Sequence, residues 1–277
     1  MRCAIVSDIH GNLDALEAVL ADAGDIDQLW CLGDVAGPYF TGFQPIECLT
    51  LLRRHDALCV LGNHDLAIIG KPGPAYSRNP DLLAMRRWTQ EQLTDDHHTF
   101  LQRVPEQRVV GEFTLMHYPV LGPELQVREV PLIASDFQRF QTRYCLVGHL
   151  HTPLVYQELE SYEGAVTYRT FAPETHTPIS LDSRRLIVNV VSVGALATDT
   201  KQAAYMLYES NSALGTATLT LRLVPYAWAN VLPKMHAAGV PPDIMAWHER
   251  HIGPPSALLS QWQLPPLFEF SSSIPDG

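Results

Sequence analysis

The chain is poor in positive charge: 19 Lys and Arg stand against 30 Asp and Glu, a formal net charge of −11. With no basic stripe or tail, that balance excludes a general nucleic-acid coat and a binder of anionic membranes. Long apolar runs are missing too. The most apolar stretch, Leu186–Ala197, is broken by Asn189, Ser192 and Gly194, and crossing a bilayer takes ~20 apolar residues. The run Arg2–Val6 is too short for a signal-peptide core and has no small-residue cleavage site, so a cytoplasmic protein is expected. There are only five cysteines, with no Cys-x-x-Cys pair. Cys3, Cys31 and Cys145 lie inside strand-like apolar runs, which argues for buried reduced thiols and against a disulfide framework or a thiolate metal site.

What remains is an ordinary folded composition, 46% hydrophobic and 18% charged over 277 residues. The twelve histidines are the unusual count. In the first half, strand-like pieces at Cys3–Ser7, Gln28–Leu32 and Ala57–Leu61 alternate with helix-period segments Leu13–Ala23 and Pro45–Arg54. Leu13, Leu16, Val19 and Leu20 share one helical face behind a candidate N-cap, Asn12. This alternation predicts parallel strands with crossover helices. Two further helices are expected at Asp81–Gln92 and Asp95–Arg103, then a hairpin of Gln107–Val110 with Phe113–His117, a helix at Leu132–Gln141 and a strand at Tyr144–Val147. The second half is strand-rich (Leu154–Gln157, Val166–Phe171, Leu186–Val193, Ala203–Tyr208, Thr216–Val224), with Ala172–Arg185 read as a loop and helices near Val231–Ala238 and Asp243–His251. The expected architecture is α/β (α+β): two mixed β-sheets packed face to face with helices outside. One domain covers 1–253, followed by a Pro/Ser-rich tail at 254–277.

Five short motifs sit where apolar runs end: Asp8-Ile9-His10-Gly11-Asn12, Gly33-Asp34, Gly62-Asn63-His64-Asp65, His117 and Gly148-His149-Leu150-His151. Ligands in open α/β sheets bind beyond the carboxyl ends of strands, so all five are placed to share one crevice. In extended chain, Asp8 and His10 lie on the same side, as do His149 and His151, and the glycines at 33, 62 and 148 permit sharp turns. Seven nitrogen and oxygen ligands result: Asp8, His10, Asp34, Asn63, His117, His149 and His151. Seven is too many for one transition metal and suits two metals sharing a carboxylate. The absence of thiolate favours Mn, Fe, Co, Ni or Zn. Taken singly, each piece has a plain structural use: Asp-x-His and Gly-Asp are common turns, Asp65 reads as a cap for a segment starting at Leu66, and an isolated His117 reads as a hydrogen-bonded core residue. Their occurrence together and in this order is what sets them apart.

In these blocks the sequence resembles the calcineurin-like metallophosphoesterases, whose signature is Asp-x-His, Gly-Asp, Gly-Asn-His-Asp/Glu, His and Gly-His-x-His. Later segments, Val224-Pro225-Tyr226 and Lys234–Gly239, resemble the bacterial diadenosine-tetraphosphatase-like, small-phosphodiesterase branch. The resemblance implies a four-layer sandwich and two divalent transition metals, Mn first among them with Fe, Zn, Co or Ni as alternatives. One metal would be held by Asp8, His10, Asp34 and His151, the second by Asp34, Asn63, His117 and His149. Asp34 and a hydroxide would bridge them, and His64 would act as general acid toward the leaving group. The implied activity is hydrolysis of a phosphodiester or phosphomonoester of a small or nucleotide-like substrate.

Three departures from the pattern stand out. Gly37-Pro38 replaces the Asp and Arg that follow Gly-Asp in the serine/threonine phosphatases, which counts against protein-phosphatase activity. Tyr118 follows His117 where Gly is usual, and Asn189-Val190-Val191-Ser192 replaces Asn-Pro-Gly-Ser. Asn12, Tyr118 and Tyr39 are the candidate substrate contacts. The Arg pairs 53/54, 86/87 and 184/185 are weaker candidates for gripping phosphate. No extended nucleic acid and no membrane partner is expected, and the sequence leaves the oligomeric state open. Two rival readings remain, a catalytically silent scaffold of the same fold that binds a partner protein and a nuclease. The first is countered by the presence of every ligand and of His64, the second by the lack of basic patches.

Overall fold

Alternation along the first strand sets the layers. In β1 (Arg2–Val6), Ala4 and Val6 turn to one face and pack with helices, while Cys3 and Ile5 turn to the other and pack against a second sheet. The computed structural model describes residues 1–37, 42–71, 80–117, 135–162, 165–194, 201–251 and 269–271. After β1 come α1 (Leu13–Ala23), β2 (Gln28–Cys31), α2 (Pro45–Arg54), β3 (Leu58–Cys59), α3 (Asn63–Ile68), α4 (Pro80–Gln92) and α5 (Asp95–Arg103). The strands β4 (Gln107–Val110), β5 (Phe113–Met116), β6 (Tyr144–Val147), β7 (Leu154–Tyr162), β8 (Ala165–Phe171), β9 (Pro178–Ser180), β10 (Leu186–Asn189), β11 (Gln202–Asn211) and β12 (Thr216–Pro225) follow. A 3-10 turn (Trp228–Asn230) leads into α6 (Val231–Ala237) and α7 (Pro242–His251), and β13 (Glu269–Ser271) closes the order.

One sheet has six strands in the order β3-β2-β1-β11-β12-β9, the other seven in the order β13-β8-β7-β10-β6-β5-β4. Trp30, Leu32, Met206 and Leu221 from the first meet Phe113, Leu115, Leu146 and Val188 from the second, all buried. Helix α1 covers the outer face of the first sheet. Asn12 caps it by accepting the Ala15 N–H at 3.1 Å, and Leu16 and Val19 are fully buried, each contributing roughly 1.5–3 kcal/mol. Pro at the first turn and Arg53 and Arg54 in the last turn suit α2. A smaller apolar cluster joins Met85 of α4 to Met235 of α6 and Ile244 and Met245 of α7, with Phe43 and Tyr226 packed against it.

Parallel pairing aligns the ends that matter. β1, β2 and β3 run parallel, and β6 is parallel to both β5 and β10, so each sheet presents its carboxyl ends along one edge. Backbone bonds join those edges: Val193 N–H donates to Ser7 O at 3.0 Å and Gly194 N–H to Asp8 O at 2.9 Å, while within the second sheet Gly148 N–H donates to His117 O at 2.7 Å.

Several boundaries differ from expectation for local reasons. β3 is two residues long, because Val60 N–H still reaches Cys31 O but Leu61 N–H turns to Pro105 O. β10 stops at Asn189, and Val191 two residues on has φ +54°, an outlier for a β-branched residue. The expected loop at 172–185 contains β9, which pairs with β12. Of the helix expected at 132–141, residues 132–134 lie outside the described residues, 135–137 are helical and a turn follows. All five cysteines are buried and free. Among the described residues no helix is long and apolar enough to cross a membrane. The tail 254–277 lies outside the described residues except for 269–271, where Phe270 registers with Tyr168 of β8.

Candidate metal centre

At that shared edge the chain turns sharply. Asp8, His10, Asp34, His149 and His151 all have positive φ, between 51° and 74°. The Asp-x-His and His-x-His pairs are therefore not extended, as their spacing suggested; each pair turns in left-handed backbone. Asp and His tolerate that region better than most residues, yet such positions cost about 1–3 kcal/mol each and persist where surrounding bonds impose them. Here Asp8 N–H donates to Gly33 O at 3.0 Å, His10 N–H to Asp34 O at 2.8 Å and Gly11 N–H to Val35 O at 2.8 Å. The loops after β1 and β2 are thus zipped together.

The side chains converge in two groups. Ligand-capable atoms of Asp8, His10 and His151 lie within 4.8 Å of one another, as do those of Asp34, His117 and His149. In the first group His151 Nε2 is 3.1 Å from Asp8 Oδ1 and 3.3 Å from His10 Nε2. In the second, His117 Nε2 is 3.1 Å from Asp34 Oδ2, and Asn63 Oδ1 is 3.0 Å from His117 Nε2 and 2.9 Å from His149 Nδ1. All seven residues expected as ligands come together. His64, expected to be no ligand, also falls within reach in a third group with His10 and Asp34.

Hydrogen-bond chemistry tests whether these residues fit a cation. His10 Nδ1 is 2.7 Å from Gly37 O and His117 Nδ1 is 2.7 Å from Leu32 O. A carbonyl only accepts, so both rings carry their hydrogen on Nδ1, and their neutral forms aim the Nε2 lone pair inward. Those lone pairs face carboxylate oxygens of Asp8 and Asp34, an arrangement that calls for positive charge between them. The protonation states of His10 and His149 agree with this. Burial, against the pull of Asp34, pushes His10 down to about 3; burial and the charge of His117 push His149 down to about 4. His117 differs: burial opposes charge on it, yet Asp34 and Asp8 lift it to about 9, so without a cation its Nε2 holds a proton toward Asp34, which a bound ion would displace. Despite their own burial, His151 and His117 hold Asp8 below the usual carboxylate range, and His117 and His64 hold Asp34 well below it. Ionised carboxylates among imidazoles with inward lone pairs are the set a divalent metal requires.

The remaining sequence candidates divide. His64 N–H donates to Asp34 Oδ1 at 2.8 Å, its ring meets that of His10 edge-on at 5.0 Å, and burial holds it below its ordinary pKa against the pull of Asp34. Asn12 is buried, its Oδ1 taken by the α1 cap and its Nδ2 donating to Tyr226 Oη at 3.2 Å. Tyr39 and Tyr118 lie outside the described residues. Among the Arg pairs, Arg53 is paired with Asp96, Arg184 with Asp182, and Arg185 donates to Phe137 O and Phe140 O. Asp65 sits in the first turn of α3, not ahead of a helix at Leu66, and burial together with the charge of Asp34 pushes its pKa up to about 6. Sequence reasoning missed Gly37, whose carbonyl orients His10. A Cβ there would stand 2.9 Å from Cγ and Nδ1 of His64, so only glycine lets the loop lie so close. Its Gly-Pro context carried no sign of this.

The stacked mixed sheets with a ring of carboxylate, imidazole and amide ligands at their common edge have the architecture of a metallophosphoesterase. The chain belongs to the calcineurin-like phosphoesterase superfamily, whose domain matches residues 1–212. A metallophosphoesterase from Sphaerobacter thermophilus is 31% identical and superposes with a TM-score of 0.70 over 90% of this chain and 99% of that one. The uncharacterized protein MJ0912 of Methanocaldococcus jannaschii is 29% identical over 215 residues, 74% of this chain and 82% of its own length. A symmetrical bis(5'-nucleosyl)-tetraphosphatase of Psychromonas ingrahamii is 39% identical, but over 74 residues only, 25% of this chain and 26% of that protein. Membership of the family implies divalent metal ions, and the ligand clusters suit them.

Proposed function

We propose that this protein is a two-metal phosphoesterase acting on a phosphodiester or phosphomonoester of a small or nucleotide-like substrate. The observation that carries the reading is the inward aim of His10 Nε2 and His117 Nε2 at the carboxylates of Asp8 and Asp34, each ring held from behind by a backbone carbonyl. Asp8, His10, Asp34 and His151 would hold one ion, and Asp34, Asn63, His117 and His149 the other, with Asp34 shared. Such a pair supplies Lewis-acid activation of water and neutralises charge at the phosphoryl group. The residues of the chain provide the rest. The carbonyls of Gly37 and Leu32 fix the ring orientation of His10 and His117. His64, outside both ligand sets, delivers a proton to the departing oxygen. Burial holds it below its ordinary pKa while the charge of Asp34 pulls the other way.

A small substrate is favoured by the net charge of −11, which repels a long polyanion beyond the reach of the ligand cluster. The partial likeness to a tetraphosphatase supports a nucleotide-like class. Purified protein supplied with Mn²⁺ should hydrolyse bis-p-nitrophenyl phosphate. The His64→Ala variant should keep its metal and lose about 10²–10⁴-fold in kcat. Equal turnover in the two proteins would remove His64 from the mechanism.

A further inference from the structure

We infer that Asp65 is a positioning residue for this centre: its carboxylate locks the loop carrying Asp34 to the loop carrying Asn63 and His64. The inference rests on the two-metal reading above and concerns no particular substrate.

Asp65 is buried and its carboxylate accepts four backbone N–H groups. Oδ2 takes those of Asp34 at 2.8 Å and Gly62 at 3.1 Å. Oδ1 takes those of Val35 and Ala36, both at 3.0 Å. A helix cap would need only an N–H near its own helix, such as that of Gly62. The other three come from consecutive residues lying 29 to 31 positions earlier in the chain. Three successive amides turned toward one point form an anion nest, filled here by a side chain of the next loop.

The same short segment is held from its other side. Its carbonyls at Gly33, Asp34 and Val35 accept the N–H groups of Asp8, His10 and Gly11. Residues 33–36 are thus clasped between the first loop and Asp65, which fixes Asp34 in its left-handed conformation, φ 55°. The lacing is reciprocal, because Asp34 Oδ1 accepts the His64 N–H at 2.8 Å. With one oxygen engaged in this way, Asp34 turns Oδ2 toward His117 at 3.1 Å. Asp65 therefore sets which oxygen the shared ligand offers, and where, without standing among the ligands itself.

The isosteric Asp65→Asn change tests this. Whichever way the amide turns, its NH₂ faces two backbone N–H donors, so half the nest is lost and donors oppose donors. Metal content and the spin-coupled electron paramagnetic resonance signal of the Mn²⁺-loaded protein are the readouts. Wild type should bind two Mn²⁺ with a coupled signal. Asp65→Asn, with unchanged circular dichroism, should lose the coupled signal and bind Mn²⁺ about 10–100-fold more weakly. Arg222→Met, a substitution at the surface ion pair with Asp22, should keep both. An Asp65→Asn protein with two ions and an intact coupled signal would overturn the inference while leaving the two-metal reading in place; a wild type binding fewer than two ions would overturn that reading instead. Should Asp65→Asn fail to fold, hydrogen exchange of the metal-free wild type decides. The amides of Asp34, Val35, Ala36 and Gly62 should be protected and open together, and independent exchange at ordinary loop rates would contradict the clasp.

Discussion

His10 Nε2 and His151 Nε2 face each other at 3.3 Å across 141 positions of chain. The Gly37 carbonyl takes the His10 hydrogen on the far side of its ring, so this contact is a lone pair held beside its neighbour, with Asp8 Oδ1 3.1 Å from His151. It exists because β1 and β6 end at the same edge of the sandwich.

The orientation of His10 depends on the close approach of Gly37. A methyl group there meets the His64 ring and must push the loop outward, withdrawing the carbonyl from His10 Nδ1. Gly37→Ala should bind Mn²⁺ about 10–100-fold more weakly, as losses of a ligand's supporting hydrogen bond usually do. Calorimetric titration with Mn²⁺ measures it, and circular dichroism should show the fold retained.

Arg185 holds the segment that leads into β6, the strand that delivers His149 and His151. Its guanidinium donates to Phe137 O at 2.7 Å and Phe140 O at 2.8 Å and lies over the Phe140 ring, 4.5 Å from its centre. Arg185→Leu keeps apolar packing but strips both carbonyls of their donor. Urea denaturation should show a loss of about 1–3 kcal/mol.

Asp22 ties α1 to the first sheet, accepting Tyr205 Oη–H at 2.8 Å and an Arg222 N–H at 3.0 Å. Against the cost of burial, those two bonds hold its pKa below the ordinary carboxylate value. A lowered folded-state pKa stabilises the protein above the unfolded value of ~3.9, and the benefit disappears as pH falls through the folded value. Arg222→Met should therefore lower stability by about 0.5–1 kcal/mol near neutrality. The gap from wild type should narrow as pH falls below the unfolded value of about 3.9, as followed by thermal denaturation across pH.

Much of this was legible in the residues themselves. The five motifs ending apolar runs lie at one edge, and Asn12 caps α1, because strand ends and caps are local features with local residue preferences. Other parts were not. The clasp by Asp65 joins a side chain to amides about 30 positions away, and its partners are backbone groups that every sequence possesses. β9 exists only through pairing with β12, and nothing in Pro178–Ser180 alone announces a strand. The short β3 and the early end of β10 reflect hydrogen bonds leaving the ladder. At Val191, a buried β-branched residue adopts positive φ at the position where the motif it resembles, Asn-Pro-Gly-Ser, has glycine; the departure was visible in the sequence, but the positive φ was not.

Metal analysis of the purified protein after dialysis against Mn²⁺ bears most directly on the shared-aspartate centre. Wild type should carry two ions per chain, and Asp34→Asn, which removes a charge from both sites at once, should carry neither. A wild type with one ion or none, or an Asp34→Asn protein that retains two, would contradict a pair of cations built around Asp34.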